Sequence, residues 1–361
     1  MTIIKIDTYD HPELTDFNSD WRKMINTDIP AMPGSALLSE TDFALFDALQ
    51  HDLRAPWSQI GSRVGLSPTA AKRRWHRLVD TGAIWTSTYP GPGSDRILAE
   101  IEVACVNRRI EQLCRKLSRQ PRIMTLTQVT GHFNVNLTAN AASLDELRGI
   151  INDVIGGAEG VQQIRANILT QTFREGDAWT IGALAGERIP STKSPRPLRV
   201  SLDDPRFLAV LGELEKDPRV PAAQVSQVLG CSTAHARRFI LGLTRNSIIT
   251  QRVEMAPASS GWSHTLMLQI AADPHDLDSA VRKISDMPGT RLCSASTGGP
   301  SNLRVGIWLR RLEDASAVEH RIAAAGRLEV SNRSIVLKHY KRAGWMFDEN
   351  EKRTEFIGWN G

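Results

Sequence analysis

The sequence predicts an α+β protein built twice on one plan, a winged/helix-turn-helix unit followed by a βαββαβ unit. Three observations predict it. Leu37 to Ile84 lies over Leu202 to Ile249 without a gap, with identities at Leu49/Leu214, Asp52/Asp217, Arg54/Arg219, Pro56/Pro221, Gly65/Gly230, Ser67/Ser232 and Arg73/Arg238, among others. Downstream of each copy the apolar spacing changes from a helical period to strict alternation. Between the copies, Glu187 to Arg199 carries Pro190, Pro195 and Pro197 among Ser, Thr, Lys and Arg, which is linker composition.

The helices of the first copy follow from their end signals. Ser39 with Asp42 three residues on forms a capping box, and Phe43, Phe46 and Leu49 supply an apolar face. Pro56 starts a second helix that Gly65 ends, since glycine tolerates left-handed backbone. Ser67 caps the third with Pro68 at its first position, and Gly82 closes it.

The strands follow from alternation. Ile97, Ala99, Ile101 and Val103 alternate with Glu100 and Glu102, which predicts a strand with one buried face. Ile110, Leu113, Cys114 and Leu117 then mark a helix, and Ile123 to Gln128 and Phe133 to Ala139 mark strands on either side of Thr130-Gly131-His132. A helix through Leu144, Leu147, Ile151 and Val154 and a strand over Val161 to Thr172 complete the unit. The second copy repeats the order, with strands at Thr265 to Ile270, Arg291 to Ser296, Leu303 to Leu309 and Leu328 to Leu337, and helices near His275 to Asp286 and Glu313 to Ala324. The domains are therefore an extension over 1–36, three-helix units at 37–89 and 200–255, βαββαβ units at 95–175 and 262–340, a linker at 187–199 and a tail at 341–361. The extension and the tail carry no pattern.

Composition bounds the function. The chain has 361 residues, 41% of them hydrophobic and 23% charged, enough for two or three folded domains and unlike a disordered chain. No apolar run approaches a membrane span, and Met1 to Asp10 lacks the features of a secretion signal, so a cytoplasmic, nucleoid-associated location is expected. Cys105, Cys114, Cys231 and Cys293 lie far apart, without zinc-ligand spacing, and no metal or cofactor is expected. A formal charge of +4 permits an anionic partner, and where the cations sit decides.

They sit on the third helices. Ala71, Trp75, Leu78 and Val79 form an inward stripe, leaving Thr69, Lys72, Arg73 and His76 outward with Arg74 and Arg77 flanking, behind the cap Ser67. Such a helix suits the major groove, where Lys72 and Arg73 would face base edges and Arg74 and Arg77 phosphates. The second copy keeps Arg237 and Arg238 but has Phe239, Leu241 and Gly242 where the first has Arg74, His76 and Arg77, so the first should dominate binding to double-stranded DNA.

A helix-turn-helix reading GLSPTAAKRRWHRL and closing with DTGAI, followed by βαββαβ, resembles the Lrp/AsnC (feast/famine) transcription regulators, here twice in one chain. The resemblance implies ferredoxin-like βαββαβ domains that sense a small molecule and oligomerise, and a pairing strand in each half, here Ile84 to Tyr89 and Ile249 to Met255. The duplicated chain should then fold as an internal pseudo-dimer that assembles further into homo-oligomers. It also implies an effector site, for an amino acid or another small molecule, at a glycine turn. Gly131, His132 and Asn134 match it in the first half, with Asn134 where the family has an acid, and Gly298 in the second. A carboxylate missing at Asn134 removes the natural partner of an ammonium group.

Two other readings compete with a regulator. Tandem proteins similar to this family include siroheme decarboxylases, which need His, Arg and Tyr side chains near the sheet; the turns offer His132 in one half and none in the other, and the chain has only three tyrosines. No Ser/His/Asp set, P-loop, GxGxxG or HExxH appears, so no enzymatic activity is expected. The third reading is an interaction scaffold that no longer binds DNA.

Overall fold

The computed structural model describes residues 38–176, 179–184, 198, 200–201, 203–287, 289–349 and 351–359. The extension 1–36 and nearly all of the linker 187–199 lie outside the described residues, as do Leu37 and Leu202 at the head of the repeat.

The first unit contains α1 (Glu40–His51), α2 (Trp57–Val64) and α3 (Pro68–Asp80). Its end signals act as expected. Ser39 and Asp42 form a reciprocal capping box, Gly65 ends α2 at φ 69°, and Ser67 accepts the Ala70 amide at the start of α3. After β1 (Ile84–Pro90) come β2 (Ile97–Cys105), a single 3₁₀ turn, α4 (Ile110–Ser118), β3 (Ile123–Val129), β4 (Val135–Ala141), α5 (Leu144–Gly149), which continues as a π-helical stretch over Ile150–Ile155, and β5 (Val161–Arg174). Leu144, placed on the buried face by periodicity, is 63% exposed because it opens the helix.

The second half repeats this order with α6 (Pro205–Lys216), α7 (Ala222–Leu229), α8 (Thr233–Arg245), β6 (Ile249–Met255), the short α9 (Pro257–Ser260), β7 (His264–Ala272), α10 (Leu277–Ser285), β8 (Thr290–Thr297), β9 (Leu303–Leu309), α11 (Asp314–Ala323) and β10 (Leu328–Arg342). Gly230 ends α7 as Gly65 ends α2, at φ 60°. The tail adds β11 (Trp345–Phe347) and β12 (Arg353–Phe356), which continue the sheet from β10. The tail is thus part of the fold. Its aromatic residues are separated by turn residues and carry no periodic signal, yet Trp359 is buried in the core of the second three-helix unit.

The pairing strands meet as expected: β1 and β6 run antiparallel, from Ile84 opposite Met255 to Pro90 opposite Ile249. The chain is an internal pseudo-dimer, and the two βαββαβ sheets are joined at both seams. The first part of β5 pairs with β2 and its second part with β8; β10 pairs likewise with β7 and then β3. The strands close into a ring, β10-β3-β4-β2-β5-β8-β9-β7 and back to β10.

Helices cover the ring. α4 and α5 pack on Ala99, Ile101, Val103, Leu137 and their neighbours, and α10 and α11 on Leu266, Leu268, Val305 and Ile307. The opposite face of each sheet is largely turned away from water. Glu100, Glu102, Asn136, Asn167, Gln269, Ser294 and Arg304 are all buried inside the ring. This corrects the expectation of one buried face: the polar positions of β2 face the polar positions of the other sheet. The three-helix units are seated crosswise. The first shares its core with Val253, Met255, Trp262 and Trp308 of the second half, and Met124 of the first half packs against the core of the second unit.

Candidate functional site: the outward helices and the sheet chamber

On α3 the stripe Ala71, Trp75 and Leu78 is buried, which turns Thr69, Lys72, Arg73, His76 and Arg77 to solvent. Arg74 departs from its expected role. Its Nε lies 2.5 Å from an Asp42 carboxylate oxygen and its Nη2 donates to Ser39 Oγ at 2.6 Å, so it ties α3 to the start of α1. Burial raises the pKa of Asp42, but Arg74 and Ser39 outweigh it and hold the carboxyl below its usual range. Ser67 is likewise engaged as the helix cap.

On α8, Arg237 and Arg238 are exposed beside an exposed Leu241, while Ala236, Ile240 and Leu243 face inward. Gly242, which in sequence looks like a plain helix defect, has a packing reason. A Cβ there would lie 3.0 Å from the Leu198 side chain, which occupies that space.

The four residues expected at an effector site are accounted for by the turns. Gly131 and Gly298 have φ of 102° and 119°, which favour glycine. Asn134 accepts from the Cys105 amide at 3.0 Å and donates to the Cys105 carbonyl at 2.7 Å. Asn302 does the same to Ala272, at 2.8 and 2.9 Å. An amide, with one donor and one acceptor end, is what this double bond requires, and a carboxylate could not replace it. Asn134 is therefore a strand-end brace rather than a free ligand group. His132 is exposed, with Nε2 3.1 Å from Gln163. None of the four lines the chamber described next.

Inside the strand ring, under the β1–β6 ribbon, lies a chamber of about 180 Å³. Arg252, Arg291, Arg304, Arg342 and His339 line it, with Tyr89 and Glu175. The fully buried Glu254, on β6, is gripped by Arg252 and Arg342 in close ion pairs and by Arg291 at 3.3 Å. Burial pushes its pKa up, yet the three guanidiniums pull it down to about 2. Glu100 faces Arg304 at 2.5 Å and accepts from Asn136 at 2.7 Å, and with one guanidinium instead of three, burial wins and its pKa is raised.

Arg291 lies against both Trp179 and Trp308, 4.5 and 4.2 Å from their ring centroids, and burial lowers its pKa to about 9. Burial and then the Arg342 charge drive that of His339 down to about 3, so its ring is neutral at physiological pH. Arg291 Nη1 and His339 Nδ1 are buried without a hydrogen-bond partner among the described residues. An arginine-rich pocket is suited to hold an anion.

The sequence does not reveal this site. His339 and Arg342 lie at the end of β10, beyond the strand bounds that alternation gives; Arg304 and Arg252 are strand residues at positions that alternation leaves to solvent, and Arg291, which alternation sets with Cys293 and Ala295, stands at the register shift between Thr290 and Leu292. The sequence offers histidine at the turns, His132 in one half and none in the other, whereas the structure brings His339 and four arginines to the chamber. No group of three potential metal ligands occurs among the described residues, and no helix there is long and apolar enough to cross a membrane.

The architecture defines a tandem protein in which paired three-helix units sit on a shared sheet ring enclosing a polar chamber. Residues 38–79 match the AsnC-type helix-turn-helix domain and residues 98–179 the Lrp/AsnC ligand binding domain, so the amino-terminal half carries the two domains of the Lrp/AsnC family. An uncharacterised HTH-type transcriptional regulator of Pyrococcus horikoshii is 27% identical over 144 residues, spanning 39% of this chain and 91% of that protein. The HTH-type transcriptional regulator FL11 of Pyrococcus furiosus is 25% identical over 142 residues, 38% of this chain and 93% of its own. The fold of both halves together is similar to that of the siroheme decarboxylase NirDL, with a TM-score of 0.58 and 15% identity, covering 84% of this chain and 93% of that one.

Proposed function

We propose that the chain is a transcriptional regulator that reads double-stranded DNA through two linked helix-turn-helix units and takes a small anionic effector in the sheet chamber. The observation that carries this reading is the outward face of α3. Lys72, Arg73, His76 and Arg77 are exposed together on a helix whose inner stripe is buried, and Arg237 and Arg238 repeat the central pair on α8. The antiparallel pairing of β1 with β6 relates the two helices as a dimer relates its recognition helices. The effector would be signalled through Glu254, which belongs to that ribbon and shares its arginines with the chamber. A cytoplasmic location and further assembly of the chain belong to this proposal.

A second reading has its own support. The decarboxylase likeness runs through both halves, and the chamber contains the His and Arg side chains that a tetrapyrrole and its carboxylates would need. Against it stands size: about 180 Å³ is below the roughly 300 Å³ at which pockets for larger organic ligands begin, and the guanidiniums are largely matched by Glu254 and Glu100. One pair of assays separates the readings. Retention of upstream DNA by the protein, weakened when Lys72 and Arg73 become alanine, supports the regulator. Loss of carboxyl groups from added siroheme, followed by absorbance and mass, with no DNA binding, supports the enzyme. If neither occurs, the scaffold reading gains.

A further inference from the structure

A second cavity, of about 150 Å³, opens between α11 and the sheet of the second half. It lies at the end of β8 and β9 away from the Gly298 turn and is lined by Met287, Ile307, Leu309 and Val318, with Trp262 and Trp308. An apolar cavity of that size holds a benzene-sized body. The Arg310 guanidinium interrupts the apolar lining. It stacks on Trp262, 4.8 Å from the ring centroid, and its Nε is buried with no hydrogen-bond partner among the described residues.

A guanidinium set in an apolar wall is a natural partner for a carboxylate, through a short charge-assisted bond. Arg310 and Arg321 stand at the rim against Asp314, one of whose carboxylate oxygens already accepts the Arg311 amide at 3.1 Å. We propose that this cavity binds a small aromatic carboxylate, the ring among Ile307, Leu309 and Val318 and the carboxylate on Arg310.

The site touches the machinery above it. Trp262 and Trp308 also belong to the core that seats α1 to α3, and Trp179 packs edge-on against them at centroid distances of 6.3 and 5.2 Å. Occupancy therefore bears on the wall beneath the first helix-turn-helix.

The test titrates the full chain with phenylacetate by calorimetry and tryptophan fluorescence, beside phenylacetamide, which keeps the size and loses the charge. Phenylacetate should saturate a single site and bind about tenfold or more tighter than the amide, the difference of one charge-assisted bond. Arg310→Gln should bring acid and amide to parity, and Val318→Phe, which fills the cavity without touching the chamber, should abolish both. Equal affinity for acid and amide in the unaltered protein overturns the proposal, as does absence of saturation at about 10 mM. Undiminished binding to a folded Val318→Phe variant places the ligand elsewhere and overturns it too. Should that variant not fold, the Arg310→Gln comparison decides.

Discussion

Arg54 and Arg219, the same position in the two copies, exchange the same bonds. Arg54 donates to the carbonyls of Pro218 and Val220, and Arg219 to those of Leu53 and Ala55. Each guanidinium thus holds the turn before the second helix of the opposite unit, where burial lowers its pKa and Asp52 and Asp217 only partly offset that. This reciprocal clasp, together with the β1–β6 ribbon, fixes the distance between α3 and α8, and in a two-reader protein that distance sets the half-site spacing.

The clasp gives the first prediction. Arg54→Leu with Arg219→Leu leaves four turn carbonyls without these donors and should lower stability by about 1 to 3 kcal/mol for each arginine removed. Affinity for DNA should fall while the salt dependence stays the same, because every cation facing a phosphate is kept. Urea unfolding and anisotropy titrations at two salt concentrations measure the two effects.

A second prediction concerns the brace at the strand ends. Asn134→Asp puts a carboxylate beside the Cys105 carbonyl and removes the donor that satisfies it, at a cost on the order of 1 to 3 kcal/mol. Asn302→Asp should cost about as much through Ala272. Thermal melts check both. An Asn134→Asp protein of unchanged stability with a newly gained affinity for amino acids would return that turn to the role the family resemblance implies.

Much of the fold is legible in the sequence because the repeat, the caps Ser39 and Ser67 and the stop Gly65 are local signals. The inward character of Glu100 and Arg304 is not legible. Alternation says that two faces of a strand differ, not whether the polar one meets water or another polar sheet. Arg74 looks like its neighbours Arg73 and Arg77, since only the fold brings Asp42 beside it. The tail is silent for a related reason: Trp359 finds its core, and Glu215 its partner, only through contacts more than a hundred residues apart in sequence.

That last pair gives a pH prediction. Glu215 is buried on α6 and accepts the Trp359 amide at 3.0 Å, and burial raises its pKa to about 7, against roughly 4.3 in an unfolded chain. Between these values the folded protein holds the extra proton. The contribution to stability is therefore full below about pH 4.3 and is lost as pH rises through 7. Glu215→Gln, which keeps an oxygen for the Trp359 amide, should flatten this dependence and stabilise the protein at pH 8 by on the order of 3 to 4 kcal/mol. Denaturant midpoints across pH 4 to about 8 follow the change.

The unlike cation content of the two outward helices gives the fourth prediction. Replacing Lys72, Arg73 and Arg77 should remove more of the salt dependence of DNA binding than replacing Arg237 and Arg238, at about 0.9 in the log–log slope for each phosphate no longer neutralised. Equal decreases from the two sets would show that α8 grips DNA as strongly as α3.

The most direct measurement is an anisotropy titration of the full chain on DNA recovered with it from cells, in parallel with the Lys72→Ala, Arg73→Ala double variant. Tight binding that weakens as salt rises, and a specific affinity that falls in the variant by about 1 to 3 kcal/mol for each base pair no longer read, is the result expected of a regulator reading DNA through α3. Affinity unchanged by the double substitution, or no binding at all by a protein that strips carboxyl groups from siroheme, would contradict it.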